Sequence, residues 1–159
     1  MHELIISACL VFSVAVSAAQ DHHGQMTARG AHAMGFDQEK TTHHFYLHEG
    51  GGAIEVTVKD RKDLANLEAI RLHLPQIAKM FAAGDFSMPH FVHAPNVPGT
   101  EGMTRLRDRI AYAYEELPGG GRVRVTTRHA RALQAVHEFL KYQITDHKTG
   151  DPLHVTRVP

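Results

Sequence analysis

Cysteine is almost missing from this chain: of 159 residues, only Cys9 carries a thiol. It lies in an apolar stretch, residues 4–16, that has the length of a secretory h-region and is too short to span a bilayer. The segment ahead of it, Met1-His2-Glu3, has no Lys or Arg, and small residues follow at 17–19. We read residues 1–19 as a signal peptide, cleaved after Ala18 or Ala19. Its removal leaves no thiol, hence no disulfide, no thiolate metal site and no thiol redox chemistry. Charge of one sign is missing too, with 17 basic and 17 acidic residues. That balance argues against nucleic acid or an anionic membrane surface as partner. HExxH, Cys/His-finger, P-loop, G-x-S-x-G and dinucleotide fingerprints are all absent. Gly50 to Gly52 and Gly119 to Gly121 read as hairpin turns rather than phosphate cradles. Nothing fixes a substrate, so an enzyme is the less favoured class.

Histidine is what the chain has in excess, at 14 residues. Imidazole is the commonest metal-ligating side chain and titrates near physiological pH. An exported, histidine-rich, thiol-free chain points to transition-metal handling, or to a response to pH, in the periplasm or outside the cell.

Residues 20–40 are polar and aperiodic and read as a flexible, histidine-containing arm. From Thr41 a pattern begins that occurs twice. Gly51-Gly52-Ala53-Ile54-Glu55-Val56 corresponds to Gly120-Gly121-Arg122-Val123-Arg124-Val125, an offset of 69 residues. Leu67-Glu68-Ala69-Ile70 corresponds to Leu133-Gln134-Ala135-Val136, an offset of 66. Within each copy, two stretches alternate with period two around a glycine turn, as half-buried strands do. Phe45 and Leu47 alternate with His44, Tyr46 and His48, and Val123 and Val125 with Arg122 and Arg124. A stripe of helical period follows: Leu67, Ile70, Leu74, Ile77 and Phe81 in one copy, Leu133, Val136, Leu140 and Ile144 in the other. Pro75 should kink the first helix or split it after Leu74. The stretch from Gly84 to Thr104 is rich in Pro and Gly and reads mostly as loop, with a short helix at 103–107.

One hairpin and one helix cannot close a core, but two copies can. The expectation is an α+β domain over residues 41–150: two ββα repeats (43–83 and 109–147) forming a four-stranded antiparallel sheet with two helices on one face. Residues 151–159 read as a loose tail. Strand order does not follow from the pattern.

Several groups could ligate a metal. Cleavage after Ala19 would expose Gln20-Asp21-His22, whose amine, amides and imidazole make a square-planar nitrogen set suited to Cu(II) or Ni(II). His43 and His44 are strand neighbours and point to opposite faces, so they do not share one ion. The sharper cluster is Met88-Pro89-His90-Phe91-Val92-His93, where thioether and imidazole together suit copper better than zinc. His137 sits on the apolar face of the last helix, where a hydrogen-bonded core role competes with a ligand role. His147 is roughly 15 Å further along that helix, so the two cannot bind one ion alone. With each helix returning antiparallel to its preceding strand, His147 is expected near the hairpin-turn end, beside His48. His73, on the margin of its helix stripe, is open to either role.

Through GFDQEKTTHHF, HLPQIAKMFAAGDF, PHFVH and HEFLKYQITDHKTGD, residues 34–151 resemble a group of small exported bacterial proteins of unassigned function. The resemblance implies that His43, His44, His93, His137 and His147 belong to the group's motifs. It leaves the arm before Met34 outside them. At position 90, where this chain has His, the group's pattern also admits Met.

The function expected is therefore a periplasmic transition-metal binding protein, copper-favoured, that buffers or delivers the ion to another periplasmic protein. The ligands would come from His90 and His93, with His44, His43, His137, His147, Met88 or His22. Nickel and zinc stay open as the ion. Ligating imidazoles must be neutral, so binding should weaken below about pH 6. Two alternatives are a metal-free, pH-responsive interaction module and a haem- or cofactor-binding protein.

Overall fold

The computed structural model describes residues 33–93 and 95–156. The expected signal peptide and most of the arm, including His22, lie outside them. β1 (Thr41–His48) and β2 (Gly51–Val58) form a hairpin followed by α1 (Leu64–Ala82). Two short helices, α2 (Ser87–Val92) and α3 (Thr100–Arg105), and one 3-10 turn lead to a second hairpin. That hairpin is β3 (Ile110–Leu117) and β4 (Gly120–Thr127), and α4 (Ala130–His147) closes the fold. The four strands make one antiparallel sheet in the order β1-β2-β4-β3. The expected α+β architecture is what the chain adopts.

Alternation within the strands sorts the two faces. Phe45, Leu47, Ile54, Val56, Val123 and Val125 are buried beneath the helices with Ile70, Leu74, Val136 and Leu140. The opposite face carries Glu55 with Arg122, and Glu115 with Arg124, in close ion pairs. Helix α1 lies over β3 and β4, and α4 over β1 and β2, so each helix packs mainly on the other repeat's hairpin.

The register makes the duplication geometric. Ile54 pairs with Val123, and these are equivalent positions of the two repeats. A pseudo-two-fold axis therefore passes between β2 and β4. Gly51 and Gly120 are also equivalent. A Cβ on Gly51 would stand 1.9 Å from the Val125 carbonyl oxygen, and one on Gly120 would stand 2.0 Å from that of Val56. Each repeat thus needs a glycine where its second strand begins, because the other repeat's backbone runs against it.

Several expectations are corrected. α1 runs unbroken through Pro75; packing on the sheet outweighs the one helical hydrogen bond that proline removes. The 84–104 link holds two helices, the second at Thr100–Arg105 instead of 103–107. Residues 33–40 are not a free arm, since Phe36 is buried and the Asp37 amide donates to Asn66 Oδ1 at 2.8 Å. Beyond α4, Asp151 accepts from the Phe45 amide at 2.9 Å and the Thr156 amide donates to the Leu47 carbonyl at 3.0 Å. That stretch borders edge strand β1 and is not loose.

His147 is the most consequential correction. Because β2 and β4 are antiparallel, the two hairpin turns lie at opposite ends of the sheet. α4 passes the first turn at His137 and ends near the start of β1, against His43 and Phe45. His147 is therefore remote from the turn end where His48 lies.

Candidate metal centre

The space between α1 and α4, above β1 and β2, is not filled. A cavity of about 70 Å³ remains there, and His43, His73, His93 and His147 line it together with Met34 and Met88. Four elements supply the rings. His43 points inward from β1, two positions before Phe45. His73 comes from α1 at helical spacing from Ile70 and Ile77. His93 ends the segment carried by α2, and His147 is the last residue of α4. Apolar neighbours, among them Phe36, Phe81 and Phe139, line it too, and no Asp, Glu, Lys or Arg among the described residues does.

The rings touch one another. His43 stacks on His147 with centroids 5.2 Å apart and planes 13° from parallel. His93 meets His147 edge-on at 4.8 Å, and Phe36 lies against both His43 and His73. Burial, with His73, His44 and His93 adding to it, pushes His43 down to about 4. Burial alone pushes His73 to about 4. Both rings are therefore neutral at ordinary pH and carry a lone pair. Among the described residues, Nε2 of His43 is buried without a hydrogen-bond partner, as is the amide nitrogen of Gln143, which also lines the cavity. Nδ1 of His93 donates to Oδ2 of Asp146 at 2.5 Å. A carboxylate behind an imidazole fixes the ring and its tautomer, leaving the lone pair on Nε2.

The expected ligands divide cleanly. His43, His93, His147 and Met88 meet at the cavity. Along the six-residue helix α2 and its C-cap, positions 88, 89, 92 and 93 face inward while His90 points away. His90 Nε2 donates to Thr100 Oγ1 at 3.0 Å, since that hydroxyl gives its own proton to the Val97 carbonyl. His44 lies on the opposite face of the sheet, donating from Nδ1 to Asp151 at 2.9 Å. His137 donates from Nε2 to the carbonyls of His48 and Gly51, both at 2.9 Å, and so ties α4 to the first turn. These three are engaged elsewhere, and His22 lies outside the described residues.

Sequence reasoning missed His73, Met34, Gln143 and Asp146 as parts of one site. His73 falls at i+3 from Ile70 and i−4 from Ile77, which places it within the stripe. Gln143 likewise stands as a polar residue one turn beyond Phe139. Met34 and Asp146 gave no comparable signal.

The duplication supplies an internal control. By the repeat offsets, His43 corresponds to Tyr112, His73 to Phe139 and His147 to Phe81. Those three aromatics form a packed cluster, Phe81 being 6.0 Å from Tyr112 and 5.7 Å from Phe139 in edge-to-face contacts. The aromatic trio is closed by ring packing, with Phe81 and Phe139 also bounding the cavity, while the equivalent imidazoles stand around the void itself. Compared with known proteins, the chain matches no family model, no curated protein and no solved structure. Among the described residues, no three His, Cys, Asp or Glu side chains stand arranged around a single point as ligands.

Proposed function

We propose that this chain binds a soft transition-metal ion, copper-favoured, in the cavity between α1 and α4, and buffers it or passes it to another periplasmic protein. The observation that carries the reading is the contrast between the two ends of the duplicated fold. Tyr112, Phe139 and Phe81 pack ring against ring, whereas His43, His73 and His147 stand around a void. His43 Nε2 is buried there without a hydrogen-bond partner among the described residues, as the Tyr112 hydroxyl is at the equivalent position. Burying such a group is unfavourable unless something else recovers it. Neutral imidazoles beside thioethers are the donor set that copper prefers. The carboxylate–imidazole pair of Asp146 and His93 is the usual support of a metal-ligating ring. A haem is disfavoured by size, since organic ligands occupy pockets of about 300–1,000 Å³ and this cavity has about 70 Å³. A pH-sensing role draws no support from His43 and His73, which stay neutral down to about 4.

The test is titration of the folded, tag-free chain with Cu(I) and Cu(II), repeated on His43→Phe. Binding tighter than about 1 µM, weakened at least tenfold by the substitution, is expected. Failure to hold either ion at that level would remove the reading.

A further inference from the structure

We infer that the ion taken by this cavity is monovalent copper, Cu(I), held by an imidazole nitrogen of His43 with the thioether sulfurs of Met34 and Met88. The inference rests on the metal-binding reading and narrows it to one oxidation state and one donor set.

Charge argues first. Among the described residues the cavity wall has no ionised side chain, and the carboxylate tied to the site is Asp146, reached through His93. The energy of placing an ion in a medium of low polarity grows with the square of its charge, so a divalent ion costs about four times as much as a monovalent one. A single carboxylate compensates one positive charge. Zn(II), Ni(II) or Cu(II) would leave a net charge buried among Phe36, Phe81 and Phe139.

The donors argue next. Met34 arrives from the residues preceding β1 and Met88 from α2, so two separate segments bring sulfur to the same void. Thioethers select Cu(I) and contribute little to the harder divalent ions. Geometry is the third strand. No three imidazole or carboxylate side chains converge among the described residues, which disfavours a tetrahedral nitrogen site. Cu(I) has a filled d shell and is satisfied by few soft donors. One buried, unpartnered imidazole nitrogen and two sulfurs meet that need without dismantling the stacked rings.

The experiment uses the full chain with His22→Ala, His23→Ala and His32→Ala, which removes arm histidines as competing ligands. Cu(I) affinity is measured anaerobically by competition with bicinchoninate; Cu(II) and Zn(II) are titrated separately. X-ray absorption of the Cu(I) form tests for sulfur neighbours, and the methionine methyl resonances are followed on loading. We expect tight Cu(I) binding, Cu–S scattering, and shifts confined to Met34 and Met88 among the methionines. Met34→Leu and Met88→Leu, which keep volume and fold, should each weaken Cu(I) at least tenfold. Tight Cu(II) or Zn(II) binding that depends on His43, without tight Cu(I) binding, overturns this inference and leaves the metal-binding reading standing. Cu(I) binding with only nitrogen neighbours and unmoved methionine methyls also overturns it. Binding of none of the three ions overturns both.

Discussion

His43 and His73 are pushed down to about 4, chiefly by burial, whereas in an unfolded chain both rings titrate near 6.5. Between those values the unfolded state binds more protons than the folded one, so stability is full above about pH 6.5 and is lost as pH falls toward 4. Each ring contributes a loss on the order of 2–3 kcal/mol across that window. Urea unfolding of the metal-free protein should show a lower midpoint at pH 5 than at pH 7, and His73→Phe should remove part of the difference. Equal midpoints at the two pH values would contradict neutral burial. His137 has a different role, donating to the carbonyls of His48 and Gly51. His137→Leu should cost about 1–2 kcal/mol in the same unfolding assay while leaving metal affinity unchanged. A loss of affinity would return His137 to the ligand set.

At the scale of elements, the glycines that open β2 and β4 set how closely the two hairpins approach. Gly51 has φ of 147° and no room for a Cβ, which would fall 1.9 Å from the Val125 carbonyl oxygen. Gly120 meets Val56 in the equivalent contact. Gly51→Ala and Gly120→Ala should each destabilise by on the order of 3 kcal/mol, read by far-UV circular dichroism during urea unfolding. Similar losses at both positions are expected, because the pseudo-dyad relates them. The strands, their turns and the two long helices were legible in the sequence because period-two and period-3.6 burial leave their mark on every residue. α2 was not, because a six-residue helix (Ser87–Val92) is shorter than two turns and shows no periodicity. Its consequence, that Met88 and His93 face inward while His90 faces Thr100, was hidden with it. The place of His147 was hidden for another reason. It depends on β2 pairing antiparallel with β4, and no local pattern encodes strand order.

For the whole molecule, the two ends of the pseudo-symmetric fold differ in three equivalent positions, and that difference is open to direct test. Replacing the imidazoles by their counterparts, as His43→Tyr, His73→Phe and His147→Phe together, should close the cavity with the aromatic cluster that already exists around Phe81. The variant should fold, because Tyr112, Phe139 and Phe81 pack in the same backbone frame. Its unfolding midpoint at pH 7 should equal or exceed that of the unaltered chain, since aromatic contacts fill a void; the hydroxyl introduced at position 43 replaces one buried, unpartnered polar atom by another, as at Tyr112. The fall in stability between pH 6.5 and 4 should shrink, because the rings that resist protonation are gone. Retained acid sensitivity would place its source outside the three replaced rings. A marked loss of stability at pH 7 would mean that the imidazoles hold this end of the fold together, and that the asymmetry between the repeats serves the scaffold instead of a bound ion.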